Sequence, residues 1–92
     1  MTDAASAASA ARASATIERL EHEATELTAK RTRLEAQLKT VIAPREAEAL
    51  MHEIDTINAA RGDLDEQELL ALDEQGEAER ERGELEQALV PA

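Results

Sequence analysis

Two histidines are the first places to look for chemistry in this chain of 92 residues. His22 has Glu18 and Glu26 four residues to either side, so a helix would carry all three on one face. That spacing fits either a helical metal site or an exposed histidine among solvated carboxylates, and the second reading is adopted. His52-Glu53 begins the pattern HExxH, but Thr56 stands where the second histidine must be, which excludes zinc hydrolase chemistry on that motif. The sequence contains no cysteine, so it offers no thiolate nucleophile, no disulfide framework and no cysteine metal site. No glycine-rich phosphate loop occurs, and Met51 reads as packing at the edge of a helix seam. The expectation is a protein that is not an enzyme, with no catalytic residue, no cofactor and no bound metal.

The elements that would carry these residues are helical. Phe, Trp and Tyr are absent, and the apolar residues are Ala, Leu, Ile, a few Val and Met, a composition of long helices rather than sheets. From Ile17, two series with seven-residue spacing run side by side: Ile17, Ala24, Arg31 and Leu38, and Leu20, Leu27, Leu34 and Val41. They are the two core positions of a heptad seam, interrupted by Arg31, whose stem can lie along the apolar surface with its head in water. Glu26 and Lys30 have the spacing of a weak ion pair within one helix.

Pro44 ends this first helix, because a helix continued through proline would cost about 3 kcal/mol. Ala43 is pushed out of the α region, and Pro44 fits the first position of a second helix. Ala43 has no side chain to cap that helix; Thr40 could do so if the boundary fell earlier. The seam resumes with Leu50, Ile54, Ile57, Arg61 and Leu64. The sequence therefore predicts an all-α fold, an antiparallel two-helix coiled-coil hairpin with its turn at Val41, Ile42, Ala43 and Pro44. The alternative is one long kinked helix. In the hairpin Leu38 faces the region of Leu50, Leu34 that of Ile54, and Arg31 that of Ile57. Lys30, Arg31, Arg33 and Lys39 then lie alongside Glu46, Glu48, Glu53 and Asp55.

The expected organisation is an Ala/Ser-rich run over 1–16, either a frayed helix or a tail, followed by the hairpin over 17–90. Helix one covers about 17–41 and helix two about 44–89. After Leu64 the leucines at 69, 70 and 72 leave the seven-residue spacing, which predicts a stutter or a broader apolar face. The second helix should run on through Gly62, Gly76 and Gly83, be weakest between the last two, and end before Pro91.

Charge is divided unequally. Residues 1–43 carry six basic and six acidic side chains, whereas 44–92 carry four basic and fifteen acidic, which accounts for the whole net charge of −11. So acidic a helix repels phosphates, and no direct nucleic-acid binding by this chain is expected. Its acidic face reads either as a solvated surface or as a dock for a basic partner segment. No stretch approaches about 18 apolar residues, and the start lacks a basic region followed by an apolar run, so neither membrane nor export is indicated and the expected location is the cytoplasm.

The stretch LEAQLKTVIAPREAEALMHEIDTINAARGDLDEQELLALDEQGE resembles the coiled-coil hairpin of the bacterial C4-type zinc-ribbon proteins. The similarity spans roughly Arg33 to Glu77. It rests on the hinge from Val41 to Glu46, on the run from Glu48 to Ile54, and on Leu64-Asp65-Glu66-Gln67-Glu68-Leu69. The resemblance implies a long hairpin preceding a small zinc ribbon with two CxxC pairs, in proteins that bind nucleic acid or act as adaptors. Without cysteine, no zinc ligand carries over, and the first helix reads as shorter than the family's, as in a fragment or a reduced form. The primary functional expectation is an interaction or adaptor module that binds a protein partner and can form homo-oligomers, a helix-sequestering export chaperone being one version. The alternative is the coiled-coil arm of a nucleic-acid-binding zinc-ribbon protein without its ribbon.

Overall fold

The computed structural model describes residues 2–89. Two helices account for all but three of them: α1 (Thr2–Thr40, 39 residues) and α2 (Pro44–Leu89, 46 residues). They form the antiparallel helical hairpin expected from the interrupted seam.

The turn follows from a few backbone groups. The Val41 amide still donates to the Gln37 carbonyl at 3.1 Å, so α1 closes with an ordinary helical bond. The Ala43 carbonyl accepts the first bond of α2 from the Ala47 amide, also at 3.1 Å, which makes Ala43 the capping residue and Pro44 the first helical position. Thr40 does not cap α2: its hydroxyl donates back to the Gln37 carbonyl at 2.9 Å and belongs to the end of α1. Lys39 in the last turn of α1 and Glu46 in the first turn of α2 match the helix dipoles. No described residue has positive φ, so the chain reverses direction without a glycine.

The fold comprises two compact units. The turn unit, Glu21–Glu66, buries Leu34, Ile57 and Leu64 and half-buries Leu27, Leu38, Val41, Leu50 and Ile54. Burying a leucine or isoleucine fully is worth about 1.5–3 kcal/mol, so these side chains supply the main apolar stabilisation here.

The terminal unit combines Met1–Leu20 with Gln67–Ala92 and has a different interior. Leu20 is fully buried, but the other buried residues are Ser6, Ala13, Ala71 and Ala78, which have little more than a methyl or a hydroxyl to contribute. Ile17 and Leu85 are half-buried. From Thr2 onward the Ala/Ser run set apart at 1–16 is continuous with the rest of α1, so no element boundary falls at residue 16. Ala13 and Ser6 are its seam positions, seven and fourteen residues before Leu20. Residue 90, the expected limit of the hairpin, and Pro91, before which the second helix is expected to end, lie outside the described residues.

Of the two expectations for the stretch after Leu64, a stutter or a broader apolar face, the stutter does not occur. Positions 71, 78 and 85 keep the seven-residue spacing of 50, 57 and 64, and their residues are buried or half-buried. Leu69, Leu70 and Leu72 are exposed instead. Position in the heptad, which sets the direction of a side chain from a helix, outranks side-chain size. The helix also passes through Gly62, Gly76 and Gly83 without a break.

Candidate interaction surface

The predicted seam residues lie on the inner side of the two helices. Leu20, Leu34, Ile57 and Leu64 are buried, and Ile17, Leu27, Leu38, Leu50 and Ile54 are half-buried. At the turn, Val41 is half-buried, Ala43 and Pro44 are exposed, and Ile42 is 96% exposed. The seam is thus largely consumed in holding α1 to α2, and the surface left for a partner lies elsewhere.

In the turn unit, Arg31 crosses between the helices. Arg31 Nη1 donates to Asn58 Oδ1 at 2.7 Å, and the Nε of the same arginine lies 3.7 Å from Glu35 Oε1. The seam arginine of α2, Arg61, is held differently. Its Nε is buried without a hydrogen-bond partner, beside a depression open to solvent and lined by Ala24, Thr25, Thr28 and Ala29. The Thr25 and Thr28 hydroxyls at its wall donate to the carbonyls of Glu21 and Ala24 at 2.9 Å each.

The terminal unit also has polar side chains that reach across between the helices. Ser6 Oγ donates to Glu81 Oε2 at 3.0 Å, and Gln75 Nε2 donates to Ser14 Oγ at 2.6 Å. Sequence reasoning missed Ser6, Ser14, Ala13, Ala71, Gln75 and Ala78 as interior residues. The signal that could have found most of them was available: counting back by seven from Leu20 and forward by seven from Ile54 and Leu64 reaches every one except Ser14.

Charge matching across the turn does not take the form of ion pairs. Among the described residues Lys30, Arg33 and Lys39 pair with none of Glu46, Glu48, Glu53 and Asp55, and Glu26 pairs with His22 at 3.1 Å rather than with Lys30. Both partners in the His22–Glu26 contact are largely exposed. Long exposed side chains lose little by remaining solvated, because the pair gains only a few tenths of a kcal/mol. The described residues contain no cluster of three or more His, Asp and Glu placed to hold a metal ion. No helix among them is long and apolar enough to cross a membrane.

What the hairpin leaves unused is the outer surface of α2. In the terminal unit it presents Leu69 and Leu70, each 64% exposed, and Leu72, on a helix segment rich in carboxylates. Three exposed leucines within four residues are an unusual concentration for a surface this charged. The arrangement has the ingredients of a protein-docking surface: apolar area to bury and acidic side chains to select a basic partner.

No protein-family model, no curated protein and no solved structure matches the chain.

Proposed function

We propose that this chain is a non-enzymatic helical-hairpin module that binds a protein partner through its acidic second helix. The observation that carries the reading is the division of labour on α2, whose seam positions pack in the hairpin while leucines at positions 69, 70 and 72 stay exposed among carboxylates. The partner segment is basic, since fifteen acidic side chains against four basic ones over 44–92 favour a cationic surface and repel phosphate backbones. The module acts in the cytoplasm. Titration of the 92-residue chain with cationic and anionic helical peptides at low and high salt tests the reading. Binding restricted to cationic peptides and weakened by salt is expected, and equal binding of anionic peptides would refute it.

The second reading is the coiled-coil arm of a zinc-ribbon protein that binds nucleic acid through the ribbon. The proline hinge at Val41–Glu46 and the resemblance around it favour this alternative. Zinc content and intact mass of the native gene product separate the two: a heavier, zinc-containing product supports the arm, and a zinc-free product of the mass of this chain supports the module acting alone.

A further inference from the structure

The reading as a docking module can be taken further, to a face and a kind of partner, on the residues of α2 in the terminal unit. Leu69, Gly76 and Gly83 are spaced by seven, and Leu72 lies three residues after Leu69 and four before Gly76. These spacings put all four on one side of the helix, outside the seam. Leu70 lies on the opposite flank.

Nothing in the hairpin calls for this composition. Leu69 and Leu72 are exposed. A Cβ built at Gly76 or Gly83 meets nothing within 4 Å, and neither glycine has positive φ, so an alanine would fit both in space and in backbone conformation. Each glycine nonetheless weakens the helix relative to alanine. Missing side chains beside exposed leucines form a shallow groove, and helices approach most closely where the contacting side chains are small.

Charge determines what can enter the groove. Asp73 and Glu79 border it and hold no ion pair among the described residues. Glu86 follows Glu79 by seven, and the one basic residue on this side is Arg80, four residues after Gly76 and three before Gly83. A second copy would bring another net charge of −11 to this border and is disfavoured.

We propose that Leu69, Leu72, Gly76 and Gly83 form a docking groove for one amphipathic helix of a partner protein, a helix with apolar residues on its docking side and Lys or Arg flanking them. The inference rests on the docking reading above and adds the location and the form of the partner.

The test uses the full chain and an end-labelled helical peptide of about 21 residues, six turns, with Leu and Ala along one face and Lys on both flanks. One control peptide has Glu flanks, and a second keeps the Lys flanks with Ser and Gln along the face. The first peptide should bind at least about tenfold more tightly than either control. The double variant Leu69→Gln/Leu72→Gln should weaken it about tenfold or more, Gly76→Gln should weaken it with helix content retained, and Leu70→Gln should change it by less than about twofold. Equal binding of the Ser/Gln control would overturn the groove in favour of diffuse charge attraction. Unchanged binding by the double variant, or an equal loss with Leu70→Gln, would place the contact elsewhere on the acidic helix and leave the broader reading standing. Failure of every cationic peptide to bind would remove that reading as well. Dimerisation of the wild-type chain abolished by the double variant would identify the occupant as a second copy and overturn the proposal.

Discussion

Arg31 and Asn58 are 27 residues apart in sequence, yet the arginine donates to the asparagine side chain at 2.7 Å. An arginine in a heptad seam ordinarily reads as a defect tolerated by extending into solvent. Here it reaches across the turn unit to a polar residue of the other helix. The bond is directional, and a shift of either helix along the other would break it, so the pair specifies the alignment that the leucines alone would hold less strictly.

Asn58→Ala should therefore destabilise the hairpin by about 0.5–1 kcal/mol, the low end for a hydrogen bond to a charged donor because the pair is exposed. Urea denaturation followed by helical circular dichroism measures it. A double-mutant cycle with Arg31→Met should give a coupling of at least a few tenths of a kcal/mol. Zero coupling would mean that the contact contributes nothing to alignment.

Arg61 predicts the opposite sign. Its Nε is buried without a partner, and an unsatisfied buried donor costs about 1–3 kcal/mol. Arg61→Met keeps the apolar stem and removes the orphan, so the variant should unfold at higher urea concentration, by a margin equivalent to about 1 kcal/mol. A loss of stability would show that the guanidinium is satisfied in solution.

Over residues 69–72 of α2, alanine should matter more than leucine. Ala71 is 4% exposed in the terminal unit, whereas Leu70 beside it faces solvent. Ala71→Asp places a charge among the seam residues and should cost about 3 kcal/mol or more, while Leu70→Asp should change stability by no more than about 0.5 kcal/mol. Thermal melts of the two variants provide the comparison, and equal losses would contradict the unbroken heptad spacing.

Gly76→Ala and Gly83→Ala should each raise stability by about 1 kcal/mol, because the added methyl meets open space on a regular helix. Destabilisation by either would mean that the backbone there departs from ordinary helix.

The hairpin itself was legible in the sequence because its signals are local and strong. Pro44 can only end one helix or begin another, and the large apolar residues from Ile17 to Leu64 mark the seam by contrast with their charged neighbours. The terminal unit lacked that contrast. Ala13 looks like every other alanine of the first sixteen residues, and Ala71 sits among three leucines that read as more hydrophobic. A methyl becomes an interior group only when the facing helix comes close enough to cover it, a property of the pair rather than of either strand of sequence. The acidity of α2 was legible as charge alone; which of its leucines were left exposed depended on that same alanine spacing.

The cross-helix hydrogen bonds also order events in time. They join residues separated by 27, 61 and 75 positions, so the chain length enclosed by each contact grows steadily away from the turn. Closing the short loop first forfeits the least chain entropy, and every contact made shortens the search for the next. The hairpin should fold as a zipper that starts at Pro44: substitutions at Leu38 or Leu50 would slow folding, whereas those at Ser6 or Ala78 would chiefly hasten unfolding, a difference that stopped-flow kinetics would resolve. On this order, the leucines on the back of α2 are in place on a helix before the bond from Ser6 to Glu81 has formed.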